Sequence, residues 1–219
     1  SIGLVGSEMC IRDRTYIDIF VSMGKICFNG NFLDDDDLSL GNVKRGLNYG
    51  DGIFETIRVA NGKPLFINSH FKRFFKGLDL LKIDYKSIND KILTEKFNEL
   101  LVINKVENGA KLKLIAFRSG GGTYVPDSNS INYIIEVTPI AHNLYEINNQ
   151  GLSVELFNEI NKSRNKFSLY KTLNSLTYVM ASIFAKENNF DDTFVLNSSG
   201  NVIESTNSNI FISSNGVLY

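Results

Sequence analysis

The sequence predicts a two-domain α+β protein, and three observations predict it. Two Asn-Gly pairs, Asn29-Gly30 and Asn61-Gly62, stand between short apolar runs. Such pairs mark hairpins, because both turn positions need positive φ. Apolar residues recur at helical spacing over 70–81, over 88–101 and after Lys171. Residues 139–151 hold a proline, few periodic positions and the polar run Asn148-Asn149-Gln150. That stretch reads as a linker, so 23–139 and 151–219 are the expected domains and 140–150 joins them.

Composition narrows the classes. A chain of 219 residues that is 43% hydrophobic can build a proper core in one large or two small domains. Its net charge of −1 favours neither nucleic acid nor an anionic membrane surface as partner. No apolar run is long enough to span a bilayer. Cys10 and Cys27 give no disulfide framework or metal spacing, and His70 and His142 have no ligand-like neighbours. The expectation is a cytoplasmic, reduced protein without a metal site. The Asn-x-Ser matches at Asn161 and Asn197 are then chance.

Residues 1–14, SIGLVGSEMCIRDR, show no clear period and lack the apolar core of a secretory signal. They resemble translated sequencing adapter. Met23 is the expected natural start, which leaves 1–22 as a non-native or disordered extension. At the other end GVLY stops in the middle of a strand pattern, so a C-terminal truncation is expected.

In chain order, Lys25–Phe28 and residues 32–33 form the first hairpin, and the acidic run 34–37 is a solvated loop. Gly50 and Gly52 mark a tight loop before a strand over 53–59, with 64–67 as its return strand. Ser69 caps a helix over 70–81, with Phe71, Phe74, Phe75, Leu78 and Leu81 inward. Arg73 then falls in the first turn, where a cation opposes the helix dipole and needs an anionic partner. On spacing alone an ordinary surface arginine is the better account. Ser87-Ile88-Asn89-Asp90 approximates a capping box for a second helix reaching residue 101. Strands over 111–117 and 131–138 flank the loop Gly120-Gly121-Gly122, and residues 152–157 open the second domain.

The stretch YKTLNSLTYVMASIFAK places Lys171 at the expected start of a helix. A helix N-terminus disfavours an ammonium, which suits a lysine that attacks carbonyls as a neutral amine. Glu204 ends the strand after the turn at 198–201, and a carboxylate beside a pyridine nitrogen keeps that nitrogen protonated. Thr206, Asn207 and Ser208 offer hydroxyls, an amide and N–H groups to a phosphate. Taken singly, these are equally a surface lysine, a strand-end glutamate and ordinary turn residues.

Four segments in register change that balance. They are RGLNYGDGIFETIR at 45–58, NGKPLFINSHFKR at 61–73, YKTLN at 170–174 and NVIESTNSNIF at 201–211. Together they resemble the fold-type IV (class IV) aminotransferases, which include branched-chain and D-amino acid aminotransferases and 4-amino-4-deoxychorismate lyase. The resemblance covers roughly residues 24–219. It implies an N-terminal α/β sandwich and a C-terminal pseudo-barrel that is incomplete here, with pyridoxal 5'-phosphate between them, in a homodimer. It implies Lys171 as the Schiff-base lysine and proton carrier, Glu204 as the pyridinium partner and Arg73 as the phosphate ligand. Thr206, Asn207 and Ser208 would lie near ring or phosphate. Tyr49, Phe54 and Arg58 would face the substrate, an amino acid or 2-oxo acid.

Two features depart from parts of the family. Leu176 stands where branched-chain enzymes carry a tyrosine, and Lys-x-Leu-Asn is nearer the D-amino acid and lyase members. No carboxylate-binding arginine is evident at 119–124. Amino-group transfer is therefore the expected activity, with aminodeoxychorismate lysis and a cofactor-free relic as the competing readings.

Overall fold

The computed structural model describes residues 2–5, 24–140, 143 and 150–219. Cys10, Met23, His142 and most of the expected linker lie outside the described residues. The elements begin with β1 (Ile2–Val5), β2 (Lys25–Phe28), β3 (Asn31–Asp34) and α1 (Leu40–Tyr49). Next come β4 (Gly52–Ala60), β5 (Lys63–Pro64), α2 (Ile67–Leu81) and α3 (Asp90–Ile103). Strands β6 (Gly109–Arg118), β7 (Ile131–Ile140) and β8 (Val154–Lys162) precede α4 (Leu176–Glu187). The chain finishes with β9 (Asp192–Asn197), β10 (Val202–Ser205), β11 (Asn209–Ser214) and β12 (Val217–Leu218). They fall into two compact units.

One unit contains 24–140 together with Tyr170–Asn174. Its six strands are antiparallel in the order β3-β2-β7-β6-β4-β5. Both Asn-Gly hairpins form as the sequence predicts, with Asn29, Gly30, Asn61 and Gly62 all at positive φ. Neighbouring strand residues point to opposite faces, so Ile134 and Ile135 serve two cores. Ile135 joins Phe71, Phe74 and Leu78 of α2 and Leu93, Phe97 and Leu100 of α3. Ile134 joins Ile26 and Phe117, against which Val43 of α1 and Leu173 pack.

Three boundaries differ from the sequence expectation. The return strand after Asn61-Gly62 is only two residues long, because α2 begins at Ile67 behind Phe66 in the left-handed region. Ser69 lies inside that helix, and Arg73 sits in its second turn. Asn89, not Ser87, caps α3 by accepting from the Ile92 N–H at 3.0 Å. Helix α1 was not expected; Gly50 closes it at φ 59, its N–H bonding the Gly46 carbonyl.

The other unit holds the described residues of 150–169 and 175–219, with β1. Strand β9 lies between β8, parallel to it, and β10, antiparallel. A parallel pair needs a crossover, and α4 provides it. Ala181 of α4 packs with Phe157 and Val195, flanked by Tyr178 and Phe184. A second sheet has the order β1-β11-β12, which gives Ile2–Val5 a strand that the sequence reading did not expect.

Helix α4 starts at Leu176 rather than at Lys171. Its inward face also differs from the expected stripe. Leu176, Met180 and Ile183 are exposed, while Ala181 and Ala185 are buried. Small side chains let the helix approach β8 and β9 closely, while Phe184 packs beside them against Phe157.

Candidate active site

Lys171 is carried by a strand edge. The Phe54 N–H donates to the Lys171 carbonyl at 2.8 Å, and the Leu173 N–H donates to the Gly52 carbonyl at 3.0 Å. Thr172 bridges Ile53 in antiparallel fashion. Strand β5 pairs only with residues 59 and 60, so residues 171–173 complete the edge of β4 at its other end. The amine Nζ stands 5.5 Å from the centroid of the Phe54 ring, whose π face attracts an ammonium. The expected placement at a helix N-terminus is therefore corrected. Helix α4 begins five residues later, at Leu176.

Phe54 is half-buried, and Arg58 on the same strand is buried. Tyr49 ends α1, with its ring 5.7 Å from that of Tyr124 and 5.0 Å from the Arg45 guanidinium carbon. Arg45 was not singled out from sequence. It donates to Asp51 Oδ2 at 3.0 Å and to the carbonyls of Gly121 at 2.7 Å and Thr123 at 2.9 Å. Arg118 donates to the same Asp51 oxygen at 3.0 Å and to Leu81 O at 2.6 Å. Asp51 thus ties the triple-glycine loop and the end of α2 to the turn between Tyr49 and Phe54.

Arg73 does have the anionic partner that its helix position called for, and it comes from the protein. Its Nε and Nη2 donate to Glu55 Oε1 and Oε2 at 2.6 and 2.5 Å. His70 Nδ1 lies 2.8 Å from Glu55 Oε2. Burial pushes the Glu55 carboxyl up, but hydrogen bonds and charge from Arg73 and His70 outweigh it and hold it below the ordinary carboxylate value. Glu55 anchors one edge of the guanidinium by a two-pronged, charge-assisted contact.

In the other unit, Glu204 on β10 is gripped by two residues that sequence reasoning missed. Lys162, the last residue of β8, forms an ion pair with Oε1. Tyr178 of α4 donates its hydroxyl to Oε2 at 2.8 Å. Burial and the Glu204 carboxylate both push the Tyr178 phenol well above its usual range, so it stays a donor. Partners 16 to 42 residues apart carry no local signal. The turn after β10 is organised by buried Asp192. It accepts from the hydroxyls of Thr206 and Ser208, the latter at 3.0 Å, and from the Thr206 N–H at 3.3 Å. The Ser208 N–H donates to Ser205 Oγ at 2.7 Å. Asn207 lies between them in the same turn.

Tyr49, Phe54, Arg58, Arg73 and Lys171 therefore belong to one unit, and Glu204, Thr206, Asn207 and Ser208 to the other. The comparisons give the family. Residues 52–219 match the model of amino-transferase class IV. A Methanocaldococcus jannaschii protein, named provisionally as a branched-chain-amino-acid aminotransferase, is 30% identical over 89% of this chain and 67% of its own. A D-alanine aminotransferase of Staphylococcus epidermidis is 28% identical over 90% of this chain and 68% of its own. The fold matches the crystal structure of Escherichia coli branched-chain amino acid aminotransferase with a TM-score of 0.77 at 20% identity, over 90% of this chain and 67% of that one. The chain belongs to the class IV aminotransferases, a pyridoxal-phosphate family, and spans about two thirds of the length of these relatives.

Proposed function

We propose that Lys171 is the residue on which this aminotransferase transfers an amino group between an amino acid and a 2-oxo acid. The observation that carries the reading is the pairing of 171–173 with β4, which fixes a primary amine beside Phe54. The donor set suits pyridoxal phosphate: an amine, a carboxylate paired with a lysine and a tyrosine, and a guanidinium with one edge anchored. When bound, that cofactor supplies a ring that withdraws electrons from the substrate α-carbon.

The roles of the chain's own residues follow. The Lys171 amine takes the proton from the substrate α-carbon and returns it at the neighbouring position. The Glu204 carboxylate, braced by Lys162 and Tyr178, holds a proton at the ring nitrogen. Arg73 binds the phosphate. Asp192 holds the Thr206–Ser208 turn in shape, so the phosphate-side contribution of that turn is positional as well as chemical. Tyr49, Phe54 and Arg58 form the substrate side. No helix among the described residues is long and apolar enough to cross a membrane. The absence of a disulfide framework in the sequence supports a cytoplasmic enzyme, and the family resemblance supports a homodimer.

The test is to saturate the protein with pyridoxal phosphate, reduce it with borohydride and map the modified peptide. Modification at Lys171 is expected, together with 2-oxoglutarate-dependent transamination. A reduced adduct on another lysine would sink the assignment. Pyruvate release from aminodeoxychorismate without transamination would move the chain to the lyases.

A further inference from the structure

We propose that Gly77 is a positioning residue: it seats the segment that carries Lys171. This rests on the reading of Lys171 as the cofactor lysine. Gly77 lies inside α2, a 15-residue helix, and is buried. A glycine there costs about 1 kcal/mol relative to alanine, so its presence needs a compensating contact. Two side chains meet that position: Ile53 of β4, whose bridge partner is Thr172, and Tyr170, next to Lys171. A methyl group on Gly77 would stand 3.2 Å from Tyr170 Cδ1 and 2.9 Å from Ile53 Cδ1.

The other end of the segment meets glycines in the same way. A methyl on Gly52 would stand 2.8 Å from Leu173 Cδ1. One on Gly50, which already needs its left-handed φ of 59°, would stand 2.6 Å from Asn174 Oδ1. Helix α2, the end of α1 and the start of β4 therefore leave one side-chain-free seat. Tyr170, Leu173 and Asn174 fill it, and the backbone of 171–173 comes close enough to pair with β4. Gly77 is the most informative position of the three. Gly52 also faces the Ala116 carbonyl at 2.2 Å, so a side chain there would disrupt the sheet itself.

A side chain at 77 presses Tyr170 outward and loosens the pairing at Phe54 and Leu173. Lys171 then loses its fixed position without any change to its chemistry. Helix propensity makes the outcome readable, because Gly77→Ala favours α2 while disfavouring the seat.

The experiment is amide hydrogen exchange on the full chain without cofactor, in the wild type, Gly77→Ala and Gly77→Leu. Exchange at the Phe54 and Leu173 amides should rise about tenfold in Gly77→Ala and further in Gly77→Leu, with the rest of the β4–β6 ladder within about twofold of wild type. In a Tyr170→Ala background, Gly77→Ala should raise exchange at those two amides by less than half as much as it does alone, because one of the two pressed groups is gone. Unchanged exchange at both amides in both variants would overturn the proposal. So would a uniform rise across the ladder, which would assign Gly77 to helix packing alone. Borohydride trapping of the wild type is read separately: an adduct away from Lys171 would remove the cofactor reading and leave the seat intact.

Discussion

Glu55 holds Arg73 through two hydrogen bonds of 2.6 and 2.5 Å, so the guanidinium proposed to bind phosphate is oriented before any ligand arrives. The carboxylate is almost fully buried, while Arg73 is substantially exposed. Removing the carboxylate charge should therefore act on stability mainly through the buried partner. Glu55→Gln is expected to lower unfolding free energy by about 2 kcal/mol at neutral pH, measured by urea titration.

The same pair sets an acid limb. The folded-state pKa of Glu55 lies below its ordinary value of 4.5. Its contribution is fully present above the ordinary value and is lost as pH falls through the lowered one. Stability of the wild type should decline below about pH 4.5 more steeply than that of Glu55→Gln. Parallel curves in thermal melts across pH 3–6 would contradict this.

Arg73→Ala should weaken pyridoxal phosphate binding roughly 10- to 100-fold, through the loss of charge-assisted hydrogen bonds. Turnover at saturating cofactor should fall far less. Arg73→Lys should not restore binding, because an ammonium cannot grip Glu55 and a phosphate with two edges of one plane. Fluorescence titration with the cofactor checks both statements.

Tyr178→Phe and Lys162→Met each free one oxygen of Glu204. Each should lower turnover about five- to tenfold with KM for the amino acid little changed. Glu204→Gln should keep covalent cofactor attachment while losing most proton transfer. Near-normal turnover in Glu204→Gln would end the pyridinium assignment.

Asp192→Ala leaves the Thr206 and Ser208 hydroxyls without their shared acceptor. A loss of about 3 kcal/mol in unfolding free energy is expected. Cofactor affinity should drop as the turn relaxes, which equilibrium dialysis would show.

Much of this was legible before any coordinates, for reasons that are local. Asn29-Gly30 and Asn61-Gly62 dictate turns by their own φ preferences, and Phe71, Phe74 and Leu78 report a buried helix face by spacing alone. Long-range pairing is what the sequence hid. Lys171 was assigned to a helix because Leu173 and Leu176 continue an apolar period, yet Leu173 packs against Phe117 instead. The grips of Lys162 on Glu204 and of Arg45 on the 121–123 loop depend on chain crossings that no spacing rule encodes. Ser69 and Ser87 looked like caps because serine suits that position, but Phe66 and Asn89 hold it through backbone geometry and a side-chain bond.

Main-chain pairing places Lys171, and glycines at 50, 52 and 77 leave the room for that pairing to form. Phe54, proposed to face the substrate, gives that pairing its backbone N–H, so its side chain can be exchanged without removing the bond that holds the Lys171 carbonyl. The anchor and the contact surface are thus separable parts of one residue.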